Sequence, residues 1–165
     1  MLATRLAQTY GRDARDMRAQ ADARTLEGAR AALESFYFGF NTRSLEVLDA
    51  IWAPDADVTL ANPLGGILAG DEDIRALYQR IVEGRARVWV EYYDIHEYAD
   101  ATIALYAGRE RGEFTIDDET IPLAIRTTRC LRYLEPLGWR QVHHHGSIDD
   151  PDLLGRYQAA VRDAR

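Results

Sequence analysis

Apolar residues recur at helical spacing in the first half of the chain. They fall at positions i, i+3, i+4 and i+7 within residues 26–40, 45–52 and 74–82, with charged residues between them. Pro54 ends the second segment, because the residue before a proline is pushed out of the α region, and Gly84 ends the third. The pattern predicts three amphipathic helices, each with one apolar face directed at a core.

The spacing changes to two in the second half of the chain. Valine, isoleucine, threonine and aromatic residues are enriched in four segments, residues 87–97, 101–116, 120–134 and 139–147. Short polar turns separate them. Because a parallel pair needs a crossover of about a dozen residues or more, we expect four antiparallel strands. A further short strand is expected at residues 58–61.

Both ends of the chain carry further helical signals. Asp150 and Pro151 supply an N-cap and a first-turn proline for a last helix. The leading segment is a weaker amphipathic helix, whose apolar positions are Leu2, Leu6, Tyr10 and Met17. We therefore expect a helical arm at residues 1–22, one central domain at residues 23–148 and a C-terminal helix at residues 149–165.

Helices followed by a run of antiparallel strands indicate an α+β protein in which the helices cover one face of the sheet. A long sheet wrapped around a helix forms a cone with an open mouth, and such a concave space is the usual place for a small-molecule site. The expected fold is one strongly curved mixed or antiparallel sheet around three helices, with an extra helix at the C-terminus.

Composition narrows the class of protein. The chain has 165 residues, which suits one domain, and a single cysteine, Cys130, so neither an intramolecular disulfide nor a cysteine zinc site can form. No apolar run approaches the ~20 residues of a membrane helix, and the first residues lack the apolar block of a secretory signal. We expect a cytoplasmic protein with no membrane partner.

Charge excludes several further classes. The formal net charge is -7, which repels a phosphate backbone, so nucleic acid is not an expected partner. All 20 basic residues are arginine, which removes Schiff-base chemistry and the P-loop lysine. The nucleophile-elbow, dinucleotide-binding and zincin motifs are missing as well. No cofactor and no metal are expected.

Histidines cluster on the last predicted strand. His143 and His145 share one face of it, about 6.6 Å apart, whereas His144 points the other way. Imidazoles with a pKa near neutrality suit acid–base work in a cavity. Two other interpretations remain open at this point: a metal site, which needs a third ligand that the spacing does not reveal, and polar packing against another subunit. Asp94 and His96 form a similar pair on the first long strand.

Arg129 lies in an otherwise apolar row on the neighbouring strand. Its row also contains Ile125, Thr127, Leu131 and Tyr133. A buried guanidinium needs a carboxylate, a carbonyl or an anionic ligand, so Arg129 belongs either to a site or to an internal salt bridge.

Aromatic residues occupy the inward stripes of the predicted helices. Such residues are either core or, where the cone is not filled, pocket walls with phenol donors. The candidates for substrate contact are Phe36, Tyr37, Trp52 and Tyr78.

The order of elements and the two last strands resemble the nuclear transport factor 2-like superfamily, in particular its SnoaL-like domains and the association domain of calcium/calmodulin-dependent protein kinase II. Those domains close with a Trp-x-x-Val-His-x-His-x-Ser strand preceded by a Thr-Arg strand. The matching residues here are Thr128, Arg129, Trp139, Val142, His143, His145 and Ser147.

The resemblance implies a cone-shaped, cystatin-like fold that is dimeric through the outer face of its sheet, with Arg129, His143 and His145 directed into the pocket. The first hypothesis is a cofactor-independent isomerase, cyclase or dehydratase in which His143 or His145 moves a proton and Arg129 stabilises negative charge. The alternative is a non-catalytic ligand-binding or association domain. Both imply a small-molecule ligand and a homodimer or higher homo-oligomer.

Overall fold

The computed structural model describes residues 3–163; Met1, Leu2, Ala164 and Arg165, including the predicted apolar position Leu2 of the arm, lie outside the described residues. Five helices precede, interrupt and follow the sheet: α1 Arg18–Ala21, α2 Leu26–Thr42, α3 Leu45–Ile51, α4 Asp71–Glu83 and α5 Pro151–Asp163. Seven strands form the sheet: β1 Thr4–Arg5, β2 Thr59–Ala61, β3 Ile67–Ala69, β4 Arg87–Ala99, β5 Ile103–Ile116, β6 Glu119–Leu134 and β7 Gly138–Ser147.

The strands make one curved, unclosed sheet in the order β1-β4-β5-β6-β7-β2-β3. The four long strands β4 to β7 pair antiparallel, as the short turns between them predict, and β2 joins the far side of β7 in parallel. This mixed sheet wraps around the helices, so the α+β cone fold expected from the sequence is confirmed.

The helices begin and end where the local chemistry indicates. The Thr25 hydroxyl accepts a hydrogen bond from the Gly28 amide at 3.0 Å and caps α2, and the Ser44 hydroxyl caps α3. Helix α2 is the central element of the core, and its largest buried side chains, Phe36 and Tyr37, face the sheet. None of the described helices has the length and apolar character needed to cross a membrane.

The expectation of a helical arm is wrong for most of residues 3–22. Only α1 is helical there, whereas β1 pairs with the edge of β4, and the Leu6 and Tyr10 amides donate to β4 carbonyls at 2.9 and 3.0 Å. The β4 edge offers unpaired backbone groups as hydrogen-bond partners to this segment, and pairing with them also buries the Leu6 and Tyr10 side chains. These two gains are larger than the weak helical preference of the segment. The short strand β3 was not expected.

Two irregularities shift the alternation of the long strands. In the pairing of β6 with β7, Cys130 lies opposite His143 and Leu131 lies opposite Gln141, so Val142 is an extra residue in β7. In β4, a register shift lies between Tyr93 and His96, next to Asp94 with its φ of 51°. Each β-bulge exchanges the faces of the residues that follow it.

Candidate functional site

The bulge in β7 decides which histidine faces the interior. Trp139 and Gln141 are buried on the inner face, but after the extra residue Val142 the inner position passes to His144, which is paired with Arg129. The expectation that His143 and His145 point into the same space as Arg129 is therefore wrong. Regular alternation along β7 fails at the bulge, which leaves His143 and His145 on the outer face.

Arg129 is the centre of a buried polar network on the inner face. Its Nε donates to the Tyr37 hydroxyl at 2.9 Å, one Nη to Gln141 Oε1 at 3.1 Å and the other to Glu110 Oε1 at 3.0 Å. The Tyr37 hydroxyl donates to the same oxygen of Glu110 at 2.5 Å. Both charged side chains are almost fully buried, so Glu110 supplies the carboxylate that a buried arginine requires.

The guanidinium keeps some donor capacity for a ligand. It carries five N–H groups, of which three are used by Tyr37, Gln141 and Glu110. Its planar face lies 3.6 Å from the centre of the Phe36 ring, which holds it in position over the helix. These three hydrogen bonds leave two N–H groups of a guanidinium whose side chain lines the adjoining cavity, next to Tyr78.

His144 is a neutral imidazole beside this network. Its pKa is held well below the ordinary value by burial first, then by the Arg129 guanidinium and the neighbouring imidazoles. Among residues 3–163, none offers a hydrogen-bond partner to its buried Nδ1. The tautomer therefore stays open, and the ring can either accept or donate a hydrogen bond.

A cavity of about 90 Å³, which we call the inner cavity, lies in front of these groups. Its polar wall is formed by Glu110, Arg129 and His144, and its apolar wall includes Phe36 and Tyr78. With the ion pair balanced and the imidazole uncharged, the wall carries no net charge. The space therefore suits the polar end of a small, mostly apolar molecule.

The four aromatic candidates have three different positions. Phe36 and Tyr78 line the inner cavity. Tyr37 is fully buried beneath it, where its hydroxyl connects Arg129 with Glu110. Trp52 lines a separate cavity between α3 and α4.

The C-terminal helix covers the inner cavity. Tyr157 of α5 lines it and packs edge-on against Phe114, with ring centroids 5.1 Å apart. Gln158 donates from its side-chain nitrogen to the Leu64 carbonyl at 2.9 Å, which ties α5 to the loop between β2 and β3. Burial, then the Glu110 carboxylate, raises the pKa of the Tyr157 phenol to about 12, so it stays protonated at neutral pH.

The outer face of the sheet holds the remaining histidines. His143 Nδ1 lies 2.8 Å from the Thr59 hydroxyl, and the rings of His143 and His145 are 6.5 Å apart. His96 and His145 line an open groove of about 520 Å³ together with Asp94. Within the described part of the chain, no group of three or more His, Cys, Asp or Glu side chains is placed to hold a metal ion.

Two inner-face residues escaped the sequence analysis for different reasons. Glu110 is a lone carboxylate in a row of β5 that also contains the buried residues Ala104, Tyr106 and Phe114, so the argument that singled out Arg129 would have found it. Strand alternation could not identify His144 as an inner-face residue, because no residue type in the sequence marks Val142 as the extra residue of the bulge.

Comparison with known proteins agrees with this architecture. Residues 29–151 match the SnoaL-like domain family. The chain belongs to this family. The resemblance noted in the last two strands is thereby confirmed, although this SnoaL-like protein directs His144 into its cavity. No curated protein matches the chain.

Solved structures extend the comparison. A candidate calcium/calmodulin-dependent protein kinase type II association domain from Thiobacillus denitrificans is 34% identical, with 73% of this chain and 94% of that chain covered and a TM-score of 0.58. A candidate dehydratase of the nuclear transport factor 2-like family from Streptomyces avermitilis is 20% identical over 73% of this chain and 93% of its own, with a TM-score of 0.64.

A ketosteroid isomerase-like protein from Erwinia carotovora atroseptica is 18% identical, with 76% of this chain and 97% of that chain covered and a TM-score of 0.63. At these identities, the second and third structures show a shared fold and nothing about the reaction.

Proposed function

We propose that this SnoaL-like protein is a cofactor-independent enzyme that moves a proton on a small, largely apolar molecule, as an isomerase, cyclase or dehydratase does. The observation that carries the proposal is the His144 imidazole, which is neutral, buried and without a partner at Nδ1 within residues 3–163, next to a guanidinium in an apolar cavity. An unprotonated imidazole at neutral pH is able to accept a proton from a bound molecule.

Arg129 has the complementary role. Removal of a proton next to a carbonyl leaves negative charge on the oxygen, and the two unused N–H groups of Arg129 are available to that oxygen. Glu110 and Tyr37 act as positioning residues, since they hold the guanidinium in place. His144 then returns the proton to another carbon in an isomerisation, or to a departing hydroxyl group in a dehydration, so no cofactor is consumed.

The size of the inner cavity limits the molecule that it admits. A volume of about 90 Å³ is below the ~300 Å³ at which ordinary small-molecule sites begin. We expect the reacting end of the substrate, rather than the whole of a large substrate, to occupy it.

Exchange of carbon-bound hydrogen tests the proposal without knowledge of the substrate. The wild-type protein is incubated in D₂O with cyclohexanone, and deuterium incorporation next to the carbonyl is followed by NMR. We expect catalysed exchange that falls about 10²-fold or more in His144→Ala, because general acid–base groups contribute about 10²–10⁴.

The triple histidine offers a matched control. His143→Ala changes the adjacent residue on the outer face, so the exchange rate should equal that of the wild type. Equal rates in the two alanine variants, or no exchange above the uncatalysed rate, would contradict the proposed role of His144.

A second candidate function is a non-catalytic domain for ligand binding and self-association. The small inner cavity favours it, and so do Tyr98 and Ile103, large side chains that are 38% and 37% exposed on the outer face. Under this second function, the outer face of the sheet forms the interface between two copies of the chain. Light scattering of the wild type and of Cys130→Glu, a change in the middle of that face, tests it: a dimer that dissociates in the variant supports self-association, and a monomeric wild type excludes it.

A further inference from the structure

The open groove of about 520 Å³ on the outer face of the sheet, which we call the outer groove, is a second concave space. Its volume lies within the range of small-molecule sites, about 300–1,000 Å³. Its charged and titratable side chains are two arginines, two histidines and one aspartate, namely Arg109, Arg126, His96, His145 and Asp94. The proton transfer proposed above takes place on the opposite face of the sheet and makes no use of this groove.

Small side chains form the floor of the outer groove. One cross-strand row runs from His96 on β4 through Ala107 on β5 and Thr128 on β6 to His145 on β7. Neighbouring strands lie about 4.8 Å apart, so the two histidines are separated by about 14 Å along the sheet. Only a methyl group and a threonine side chain stand between them. A ligand can therefore lie over this row, with an imidazole at each end.

Two arginines lie beside this row on neighbouring strands. Arg109 of β5 is directly opposite Arg126 of β6, two residues along each strand from Ala107 and Thr128. Like charges directly opposite each other destabilise a sheet, and an anion bound between the two guanidinium groups would remove that repulsion. The hydroxyl groups of Thr128 and Ser147 line the same groove and are further donors.

Arg109 has no carboxylate partner within residues 3–163. The two acidic side chains that β4 places on this face pair with other arginines, Asp94 with Arg5 at 2.8 Å and Glu91 with Arg111. The Arg109 side chain is exposed, so its guanidinium is open to a ligand from solvent.

Arg126 is held in place at the groove. Its Nε lies 2.8 Å from a carboxylate oxygen of Asp149 and 3.2 Å from the Ser147 hydroxyl. The Arg126 side chain is 57% exposed, so it too is accessible from solvent. One carboxylate thus balances two guanidinium groups, and the groove keeps positive charge although the net charge of the whole chain is -7. That net charge disfavours a long polyanion, whereas a single anionic group meets only the local positive charge.

The shape of the groove favours one class of anion. A carboxylate is matched by a single guanidinium, whereas a phosphate monoester carries a charge of about -1.5 to -2 at pH 7 and three acceptor oxygens, enough for two guanidinium groups. Tyr98 lines the groove as well, and its side chain is 38% exposed. Its ring offers an apolar surface to the organic part of such a molecule.

We propose that the outer groove binds a small organic phosphate monoester, with the phosphate between Arg109 and Arg126 and the apolar part against Tyr98. The site goes beyond the proposed function, because binding there requires neither His144 nor proton transfer.

Calorimetric titration of the full chain with phenyl phosphate tests the site. In Arg109→Gln we expect the affinity to fall about tenfold or more, the effect of one charge-assisted hydrogen bond. Arg132→Gln is the matched control, because it removes an exposed arginine from the same face and changes the net charge equally. Arg132 lies six residues from Arg126 along β6, about 20 Å away and beyond the ~10 Å screening length at 0.1 M salt, so its loss should leave the affinity nearly unchanged.

Two further measurements sharpen the test. Phenol and inorganic phosphate each carry one half of the probe, so both should bind more weakly than phenyl phosphate. Without any ligand, Arg109→Gln should unfold at a higher temperature than the wild type, because the repulsion of Arg126 is relieved. This thermal unfolding also shows that the variant is folded.

Several results would overturn the site. These are the absence of binding at millimolar phenyl phosphate, equal affinity in Arg109→Gln, or an equal loss in Arg132→Gln, which would indicate unspecific attraction. Inorganic phosphate that binds as tightly as phenyl phosphate would overturn the organic ligand.

The outcomes are separable from those of the two candidate functions. Phenyl phosphate that binds equally to the wild type and to His144→Ala supports the outer groove, whether or not deuterium exchange is catalysed. A protein that self-associates through the outer face and binds no phenyl phosphate overturns it, because a second copy then covers the groove.

Discussion

Among the ion pairs of the described residues, the buried pair of Arg129 and Glu110 is the one whose disruption should destabilise the protein most. Arg129→Leu would leave the Glu110 carboxylate buried with only the Tyr37 hydroxyl, and loss of one partner of a buried pair costs about 3–5 kcal/mol. Urea unfolding measures this change. Arg126→Leu is the matched control on the same strand, since Arg126 pairs with Asp149 at the surface and should cost under about 1 kcal/mol. Similar losses in both variants would contradict the burial of the pair.

His144 should make stability depend on pH. Its pKa is lowered in the folded protein by burial and by Arg129, so between that pKa and about 6.5 the unfolded chain binds more protons than the folded one. The free energy of unfolding therefore falls as the pH drops below about 6.5, with a contribution of ~1 kcal/mol per pH unit from this group.

Substitution isolates that contribution. Urea unfolding of His144→Gln at pH 7 and at pH 5.5 should show a shallower pH dependence than the wild type, because glutamine does not titrate. A wild-type slope in His144→Gln would mean that the buried ring is not held neutral.

At the residue scale, the sequence correctly singled out Arg129 as a buried cation. It placed the wrong histidines, His143 and His145 instead of His144, beside that cation. Arg129 stands out because a charge in an apolar row always needs an explanation, and the same reasoning would have found Glu110. His144 depends on where β7 accommodates its extra residue, which the backbone pairing with β6 and β2 determines jointly. That choice is tertiary, so a single strand does not reveal it.

At the scale of helices and strands, two glycines differ in how much space the structure leaves for a side chain. A Cβ on Gly112 would lie 1.9 Å from the Trp89 carbonyl oxygen across the β4–β5 pair, whereas no atom lies within 4 Å of a Cβ on Gly155 in α5. We expect Gly155→Ala to stabilise the protein by about 0.5–1 kcal/mol through helix propensity. Gly112→Ala should destabilise it by forcing the strands apart. Thermal unfolding measures both, and a stabilised Gly112→Ala would contradict the close approach.

The elements themselves were largely predictable. Three helices and four long strands carry clear periods of 3.6 and two, and the proline and glycine signals set their ends. The leading arm was not predictable, because Leu6 and Tyr10 fit a helical spacing as well as they fit the edge of β4. Only the folded sheet offers the backbone partners that decide between the two.

For the whole molecule, α5 and the loop after β2 act together as the cover of the inner cavity. The hydrogen bond from Gln158 to the Leu64 carbonyl joins them, so Gln158→Ala should increase amide hydrogen exchange in both segments. Gln79→Ala is the control, because that side chain bonds to Glu83 within its own helix. Mass spectrometry of peptides from residues 62–66 and 151–163 reads the effect. Faster exchange in α5 alone would mean that the two segments open independently.

The extra residue in β7 also affects how relatives should be compared. Two chains with the same run of histidines present different imidazoles to their interiors if one carries the insertion and the other does not. Equivalent functional positions in two relatives are therefore better identified by cross-strand pairing than by sequence alignment. In this chain the relevant position is the residue paired with Arg129. A gain or loss of one residue in this strand would exchange the chemistry of the inside and the outside without altering any histidine.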